Sequence, residues 1–334
     1  MNESEIYEYL PVNLIGHSAK FCSAFQKVTK ISQYDVPVFI RGETGTGKEL
    51  IAHSIHNLSS RNSGPFIPIN CGAIPETLIE DEFFGHVKGA YTGAQSEREG
   101  LISQANGGTL FLDEIDALPY KGQVSLLRFI QEKKFKPVGS SKTIFSDIRL
   151  IVATNADISS EIEKEKFRQD LFFRLNVMNI NLPPLKERDD DIELLAKYFI
   201  ERHSAEYKLP IKTLHTSAIS KLYQYDWPGN VRELENILLQ DMLLTDTETL
   251  YLNNLNSVIN SHKNTSSSHK SCLDMEFRAA KTQIVAHFER NYLENLMLKT
   301  SGNVSKAAIL AGTERRMFGK LLKKHDINRT LYCS

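Results

Sequence analysis

The sequence predicts an α/β fold in which a parallel sheet is flanked by helices, followed by a helical region and a separate all-α domain. Three observations support this prediction. Apolar runs that end in a polar residue recur over residues 36–155, as is typical of buried parallel strands. Helical spacing continues over residues 191–245. Beyond them, residues 263–334 differ from the rest of the chain in charge.

Charge divides the chain into two parts. The 334 residues include 40 Lys and Arg against 41 Asp and Glu. Residues 263–334 hold 13 of the basic and 6 of the acidic residues, a net charge of +7, which leaves −8 for the rest. A basic region attached to an acidic body suggests that one part of the chain binds a polyanion.

Neither a targeting segment nor a membrane span is predicted. The first nine residues are acidic and polar, unlike a signal peptide, and no apolar run approaches the ~18 residues of a membrane span. The four cysteines are too widely spaced for a metal-ligand pair or a disulfide framework: Cys22, Cys71, Cys272 and Cys333. We therefore expect a reduced, cytoplasmic protein with no membrane partner.

The first apolar run, residues 36–40, leads into a glycine-rich loop and then into helical spacing. Glycines let backbone N–H groups approach a phosphate, and the helix N-terminus attracts the anion. Lys48 adds a point charge for the β- and γ-phosphates. Glu49 departs from the general pattern, which has a Ser or Thr hydroxyl for magnesium there. The phosphate-binding loop comprises Gly42, Glu43, Thr44, Gly45, Thr46, Gly47, Lys48 and Glu49.

The second strand is predicted over residues 65–70, ending at Asn70, and a helix is predicted over residues 74–84. A glycine-containing loop follows over residues 85–94. Taken alone, this loop is interpreted as a surface loop without a role. Its place between two core strands indicates a purpose, since insertions there are commonly functional.

Two further strands end in polar residues. Residues 107–113 form an apolar run that ends in the carboxylates Asp113 and Glu114. With a phosphate-binding loop upstream this is the Walker B arrangement, in which the first carboxylate organises Mg²⁺ and the second polarises the attacking water. The run over residues 149–155 delivers Asn155 to the same carboxyl edge, where ligands of open α/β sheets bind.

Two arginines occupy an aromatic helix over residues 167–174. On residue chemistry alone, Arg168 and Arg174 are interpreted as solvated or paired with Asp170. The helical region that follows is interrupted over residues 227–236 by Trp-Pro-Gly-Asn.

The carboxyl-terminal region begins with a polar, low-complexity stretch, residues 259–273, which predicts a flexible linker. A long helix is predicted over about residues 275–299. Two helices joined at Gly312 are then predicted, the first capped by Asn303 and the second by Thr313. The alternative interpretation is a solvated basic helix that ends a helical bundle.

Five of these segments, in their order and spacing, resemble the AAA+ domain of bacterial sigma-54-dependent transcriptional activators, also called enhancer-binding proteins. The segments are residues 42–49, 89–94, 107–115, 167–174 and 227–236. The resemblance covers roughly residues 12–250. Glu49 is usual in that family, whereas Tyr91 stands where the family usually has Phe. Residues 301–324 resemble the Fis-type helix-turn-helix that closes these activators.

The resemblance implies a domain organisation. Residues 1–184 correspond to the α/β subdomain of an AAA+ P-loop NTPase, and residues 185–258 correspond to its helical lid subdomain. Residues 259–273 form the linker, and residues 274–334 form the DNA-binding helix-turn-helix domain. Because the chain starts almost at the ATPase, we expect no amino-terminal regulatory domain, and we expect control by a regulatory protein acting in trans.

The resemblance also assigns roles to individual residues, with ATP and Mg²⁺ as cofactors. The phosphate-binding loop grips the phosphates, and Asp113 organises Mg²⁺. Glu114 activates water, and Asn70 holds this glutamate away until the target engages. Asn155 is the first sensor and reads the γ-phosphate. The remaining assignments are Arg232 as second sensor in the lid, and Arg168 and Arg174 as arginine fingers that reach the neighbouring subunit's ATP.

The implied partners are sigma-54, RNA polymerase, double-stranded enhancer DNA and further copies of the chain in a ring, typically a hexamer. Sigma-54 is contacted through the 89–94 loop, which comprises Gly89, Ala90, Tyr91, Thr92, Gly93 and Ala94. DNA is contacted through Ser305, Lys306, Arg315, Arg316, Lys320, Lys323 and Lys324.

Two other interpretations compete with this one. The chain could be a general AAA+ remodelling ATPase that acts on another protein, with the tail a mere basic helix. It could also be a DNA-binding regulator in which the ATPase serves only as an oligomerisation scaffold. The 89–94 loop argues against a general remodelling ATPase. The presence of all the catalytic residues argues against a mere scaffold: Lys48, Asp113, Glu114, Arg168 and Arg174.

Overall fold

The computed structural model describes residues 14–252, 254–255, 289, 292–293, 296–297, 300 and 303–325. They fall into two compact units, separated after Leu255. The predicted linker, residues 259–273, lies outside the described residues, as does most of the helix predicted over residues 275–299. No helix in the described ranges is both long and apolar enough to cross a membrane.

The first unit contains eleven strands among its described residues. They are β1 (Val38–Arg41), β2 (Phe66–Asn70), β3 (Gly85–His86), β4 (Arg98–Glu99), β5 (Thr109–Asp113), β6 (Lys134–Phe135), β7 (Ile144–Phe145), β8 (Arg149–Thr154), β9 (Met178–Asn181), β10 (Thr213–Leu214) and β11 (Thr249–Leu250).

Ten α-helices are described in the same unit. They are α1 (Ala19–Ser32), α2 (Lys48–Asn57), α3 (Ile79–Phe84), α4 (Leu101–Gln104), α5 (Tyr120–Glu132), α6 (Ile158–Glu163), α7 (Gln169–Leu175), α8 (Asp189–Tyr207), α9 (Thr216–Gln224) and α10 (Asn230–Leu244).

The central sheet has five parallel strands in the order β2-β5-β8-β1-β9. Asn70 is in register with Asp113, and Leu112 with Val152. Because all five strands are parallel, their carboxyl ends share one edge of the sheet, where the predicted site residues follow the strands. The predicted α/β class and parallel sheet are confirmed.

Both faces of the sheet are buried, and neighbouring residues of each strand pack into different cores. Phe39, Leu112 and Val152 belong to one apolar cluster, whereas Ile40 and Ile151 belong to the other. This alternation follows from the two-residue period of a strand. Burying one such side chain completely contributes roughly 1.5–3 kcal/mol, so the strands below the site form a rigid base.

The α/β part contains elements that were not predicted, among them α5, and two further differences have a clear physical reason. The helix predicted from residue 74 is wrong at its start, because α3 begins at Ile79 after a 3₁₀ turn, Glu76–Leu78. Pro75 disfavours helical backbone at the residue before it, and Ile74 is extended. The fifth strand, β9, was not predicted, because only Ile180 of its four residues is buried and no apolar run marks it.

The helical part of the first unit packs α8 against α9 and α10. Trp227 is fully buried, and its Nε1 donates to the Leu222 carbonyl at 2.8 Å. Lys212 is buried as well, and its ammonium donates to the carbonyls of Met242 and Thr245 at the end of α10. A cation at this position satisfies carbonyls that a helix leaves without partners.

A buried ion pair at the start of α8 is hydrogen-bonded to residues 17 and 18. Arg188 Nε donates to Asp191 at 2.8 Å, and Asp191 also accepts the backbone N–H groups of His17 and Ser18. Although burial favours the neutral carboxyl, hydrogen bonds from Arg188, His17 and Ser18 hold the pKa of Asp191 below its ordinary value. The Arg188 guanidinium also lies 4.1 Å from the Phe21 ring centroid. Residues far apart in sequence are thereby joined beside the cleft.

The second unit contains α11 (Val304–Leu310) and α12 (Arg315–Lys324) among its described residues. Asn303 caps α11 as predicted, accepting the N–H groups of Ser305 and Lys306. Gly312 has φ +63° at the turn. The predicted cap of the second helix is wrong, because Glu314 is the N-cap residue of α12, and the buried Thr313 hydroxyl has no hydrogen-bond partner.

Candidate nucleotide-binding cleft

A cavity of about 660 Å³ lies at the carboxyl edge of the sheet, between the α/β part and the helical part. Its lining includes Lys48, Asp113, Glu114 and Asn155, which the sequence assigned to one site. Apolar side chains also line it, from residues 14–21 and from α8: Leu14, Ile15, Phe21, Leu195 and Phe199. A cleft that offers both charged and apolar side chains suits a molecule that joins a phosphate chain to a flat ring.

The phosphate-binding loop is held by its own hydrogen bonds. Lys48 Nζ donates to the carbonyls of Gly42 at 3.0 Å and Glu43 at 3.1 Å, and Thr46 Oγ1 donates to Glu43 at 2.8 Å. Burial lowers the pKa of Lys48, which the Asp113 and Glu114 carboxylates oppose. An ammonium that has lost much of its water interacts strongly with an arriving anion.

Gly45 is the point where the helical part touches the loop. It has φ +79°, and a Cβ there would lie 2.2 Å from the Gly229 carbonyl oxygen. The Val231 N–H donates to the Gly45 carbonyl at 3.0 Å. Any side chain at position 45 would therefore separate the loop from α10.

Asn230 fixes this contact, and the sequence analysis missed it. Its Nδ2 donates to Glu43 Oε2 at 3.0 Å and to the Thr44 carbonyl at 3.1 Å. Its Oδ1 accepts the Leu185 N–H at 2.7 Å. The residue is fully buried with φ +52°, a backbone conformation that Asn tolerates better than most residues. The interruption of helical spacing at Pro-Gly-Asn was the available signal.

The carboxylate pair lies at the end of β5, because Asp113 is its last residue and Glu114 follows directly. Glu114 has φ +52° and ψ +48°, and its N–H donates to Asp113 Oδ1 at 3.0 Å. A Cβ at Gly72 would lie 2.7 Å from Glu114 Oε2 and 3.2 Å from Asn70 Oδ1. Asn70 Oδ1 accepts the Gly72 N–H at 2.8 Å. The side chains of Asn70 and Glu114 therefore meet beside Gly72, a residue that the motif analysis missed.

Asn155 follows β8 and reaches the phosphate-binding loop. Its Nδ2 donates to Thr44 Oγ1 at 3.0 Å. Arg232, on α10, lines the same cleft. Residues of the phosphate-binding loop, of the ends of β5 and β8 and of the helical part therefore line one cleft.

The two arginines of the aromatic helix lie elsewhere. Arg168 donates to both carboxylate oxygens of Asp170, at 3.0 and 2.7 Å, and to the Tyr120 hydroxyl at 2.8 Å. This pairing is the interpretation that residue chemistry alone gave. Arg174 lines a different cavity with Val36 and Pro37, at the amino ends of the strands. Neither arginine lines the nucleotide-binding cleft of its own chain.

Cys71 lies directly below the cleft. It is buried, 1% exposed, and follows Asn70 at the end of β2. Burial, with the nearby carboxylates of Asp113 and Asp116, raises the pKa of its thiol to about 12. The thiol is therefore protonated at neutral pH.

The carboxylates fit a magnesium ion that arrives with a nucleotide. Among the described residues, no group of three or more His, Cys, Asp and Glu side chains forms a ready-made metal site. Mg²⁺ is usually bound through one or two carboxylates together with substrate phosphates and waters. Asp113 and Glu114, which line the same cleft as Lys48, offer that donor set.

The 89–94 loop is closed at its base and open at its tip. It lies between β3 and β4, which pair antiparallel, and the Gly89 N–H donates to the Ala94 carbonyl at 2.9 Å. Thr92 and Gly93 are exposed, and no atom lies within 4 Å of a Cβ built on Gly89 or Gly93. Gly139 packs against Ala90 from a second loop, since a Cβ at position 139 would lie 2.7 Å from the Ala90 Cβ.

The Tyr91 side chain contacts a buried pair of residues, Asp81 and His86, at the base of the loop. Its hydroxyl lies 3.5 Å from Asp81 Oδ2 and 3.5 Å from His86 Nδ1. Asp81 Oδ1 and His86 Nδ1 are themselves 2.6 Å apart, and the rings of His86 and Tyr91 meet edge to face at 5.1 Å. The ring contact would survive loss of the hydroxyl.

The predicted DNA-binding side chains are exposed in the second unit. Arg315, Arg316, Lys320, Lys323 and Lys324 lie on α12, and Ser305 and Lys306 lie in the first turn of α11. Ala307, Ala308 and Phe318 pack in the core beneath them. Lys324 donates to Glu289 at 2.6 Å.

Comparison with protein families gives two matches. Residues 14–181 match the family described as the Sigma-54 interaction domain, and residues 186–272 match the AAA+ ATPase lid domain. The first match alone spans half of the chain.

Characterised relatives extend the similarity over nearly the whole chain. The transcriptional regulatory protein GlrR of Escherichia coli K12 is 41% identical over 94% of this chain and 68% of its own length. The DNA-binding transcriptional regulator NtrC of Azospirillum brasilense is 38% identical over 97% of this chain and 71% of its own length.

A solved structure shares the fold. The structure of NtrX from Brucella abortus in complex with ADP superposes with a TM-score of 0.71 at 29% identity. The match covers 96% of this chain and 71% of that one. The same protein in complex with ATP superposes with a TM-score of 0.69 at 28% identity.

Proposed function

Because the chain belongs to the sigma-54 interaction domain family of AAA+ ATPases, we propose that it binds enhancer DNA, assembles into a ring and uses ATP hydrolysis to remodel the closed complex of sigma-54 RNA polymerase. The observation that carries the proposal is that two features occur together. One is a cleft in which the phosphate-binding loop is hydrogen-bonded to Asn155 and Asn230, and the other is the separate, exposed 89–94 loop. Lys48, Asp113, Glu114, Asn155 and Arg232, which would act in hydrolysis, line the cleft, and the exposed 89–94 loop would contact the target.

In the cleft, Gly42–Glu49 would cradle the phosphates of ATP, with Lys48 on the β- and γ-phosphates. Bound Mg²⁺ would neutralise developing charge on the phosphates, and Asp113 would hold it. Glu114 would accept the proton of the attacking water. Asn70 would restrain this glutamate, and its position beside Gly72 supports that role. Asn155 and Arg232 would sense the γ-phosphate, one from the sheet and one from the lid.

The site needs a second chain. Arg168 and Arg174 lie outside the cleft of their own chain, as expected of arginine fingers that act on a neighbour's nucleotide. In a ring, each arginine would face the next cleft, so assembly would switch hydrolysis on. Arg168 would first leave Asp170, because that carboxylate now occupies its guanidinium.

The second unit would hold the ring on double-stranded DNA. Its recognition helix α12 presents the exposed cations Arg315, Arg316 and Lys320, and Lys306 adds another from α11. Such side chains neutralise phosphates and reach base edges in the major groove. Replacing Lys320 by Ala should weaken DNA binding and flatten its salt dependence, measured by titration at two salt concentrations.

Deleting Thr92 separates coupling from chemistry. Thr92 is exposed at the loop tip, so its loss should leave steady-state ATP hydrolysis within about twofold of wild type. Binding to sigma-54 and open-complex formation on a sigma-54 promoter should be lost. Ser96→Ala, outside the 89–94 loop, is the control and should retain both activities. Promoter opening by the Thr92 deletion would show that the 89–94 loop is not the sigma-54 contact, whereas failure of the wild-type protein to open the promoter would support a remodelling ATPase with another target.

A further inference from the structure

A hydrogen-bond chain joins the turn that follows Glu114 to the end of β8, the strand that precedes Asn155. Thr154, the last residue of β8, is fully buried, and its hydroxyl donates to Asp116. The same oxygen accepts the Ala156 N–H at 2.9 Å. A hydroxyl has one proton and can accept as well as donate, so both bonds form at once.

One end of this chain constrains Asn155. Asn155 lies between Thr154 and Ala156, and the Thr154 hydroxyl bonds the backbone on its far side. This short ring fixes the peptide units on both sides of Asn155. The Asn155 side chain then bonds Thr44 in the phosphate-binding loop at 3.0 Å.

The other end constrains Glu114. Asp116 lies in the 3₁₀ turn Ile115–Ala117, which starts at Glu114, and the Ala117 N–H donates to the Glu114 carbonyl at 2.9 Å. Glu114 has left-handed backbone, which costs on the order of 1 kcal/mol for a residue with a side chain, and persists only where its surroundings fix it. The bond from Thr154 to Asp116 fastens this turn to β8.

We propose that Asp116 is a positioning residue that locks Glu114 and Asn155 into one unit through Thr154. A change in the contact between Asn155 and the phosphate-binding loop thereby changes the position of the Glu114 carboxylate, which would activate the attacking water. The inference rests on the proposed roles of Glu114 and Asn155. It adds a residue that the glycine loop and the carboxylate pair do not include.

The test measures ATP hydrolysis and ATP binding separately. Asp116→Ala should lower kcat about tenfold or more, because a small misplacement of a reacting group is costly, and leave the Kd for a fluorescent ATP analogue within about twofold. Asp116→Asn should restore kcat, because an amide oxygen still accepts from Thr154. Thr154→Val should reproduce the Asp116→Ala defect, and combining the two should add little.

Asp157→Ala is the matched control. Asp157 lies at the same sheet edge but caps α6, accepting the Ser159 N–H at 3.1 Å. Its loss should lower the free energy of unfolding by about 1 kcal/mol without changing kcat. If Asp116→Ala does not fold, Thr154→Val carries the same test.

Two outcomes overturn the proposal. One is wild-type kcat in Asp116→Ala or Thr154→Val. The other is an Asp116→Asn variant as slow as Asp116→Ala, because the carboxylate charge would then matter and the bond to Thr154 would not. Glu114→Gln is measured in parallel. If it hydrolyses ATP normally, the assigned role of Glu114 fails, whereas a slow Glu114→Gln beside a normal Asp116→Ala removes only Asp116.

Discussion

The nucleotide-binding cleft has hydrogen bonds of much longer range than the 89–94 loop. In the cleft, Asn230 bonds Glu43 across 187 positions of sequence, and Asn155 bonds Thr44 across 111. In the loop, Gly89 bonds Ala94, and Tyr91 meets residues 5 and 10 positions away, although Gly139 also packs against Ala90. Long-range hydrogen bonds fix parts of the fold against each other, whereas short-range hydrogen bonds give a segment its shape.

This difference indicates a division of work. The cleft must hold several groups within a few tenths of an ångström for hydrolysis, and its connections suit that need. The loop keeps its closed form without being enclosed, because no atom approaches Gly89 or Gly93 from outside. Perturbing the cleft should therefore change rates strongly, whereas mild changes to the loop should alter little besides coupling.

The largest effect is expected from Arg168 and Arg174, which lie outside the cleft of their own chain. Arg168→Ala and Arg174→Ala should each lower kcat for ATP by about 10³–10⁵-fold, the range for arginine fingers. Mixing either with a Lys48→Ala chain should restore part of the activity, measured as ATPase rate against mixing ratio. Arg128→Ala, an exposed arginine of α5, is the control. Absence of rescue at every ratio would mean that the cleft is complete within one chain.

Glu114→Gln tests the carboxylate inside the cleft. Hydrolysis should fall by about 10²–10⁴-fold, the usual contribution of a general base, while ATP binding persists. Steady-state ATPase and nucleotide binding are measured on the same preparation. The 89–94 loop should keep its form, as judged by unchanged protease sensitivity. A rate within about twofold of wild type would exclude this residue as the base.

Asn230→Ala tests the long-range bonds directly. Because three hydrogen bonds are lost in a buried place, ATP binding should weaken about tenfold and the free energy of unfolding should fall by about 1–3 kcal/mol. Nucleotide titration and denaturant unfolding measure the two effects. Asn236→Ala, exposed on the same helix, should change neither. Normal affinity in Asn230→Ala would show that the lid contact does not shape the cleft.

The smallest effect is expected from Tyr91→Phe. The ring contact with His86 remains, and the lost hydroxyl contacts are long at 3.5 Å. Hydrolysis and promoter opening should both stay within about twofold of wild type. Loss of opening with normal hydrolysis would mean that the hydroxyl, and not the ring, governs the loop.

What the sequence could predict was mostly local. Gly42–Glu49, the pair Asp113 and Glu114, and the strand before Asn155 each combine a short residue pattern with an apolar run, and the sheet brings them to one edge. The cap at Asn303 follows from the same kind of local rule.

What the sequence could not predict depends on distant partners. Asn230 contacts the phosphate-binding loop because α10 folds back onto Gly45, and the break in helical spacing at Pro-Gly-Asn marks the position without naming this distant partner. The edge strand β9 joins the sheet by backbone pairing with β1 alone. Because only one of its four residues is buried, it needs no apolar run that the sequence could show. Arg168 pairs with Asp170 in the single chain, so its proposed work on a neighbour depends on an exchange of partners.

The rate at which a reagent labels the Cys71 thiol can report on opening at the carboxyl edge of the sheet. Thiol reagents attack the thiolate, and a buried thiol with a pKa of about 12 supplies almost none at neutral pH. Alkylation of Cys71 therefore requires the end of β2 to open, and its rate measures how often that happens. Nucleotide that tightens the cleft should slow this alkylation, whereas Cys22, half-buried on α1, should label at an unchanged rate and serve as the internal standard.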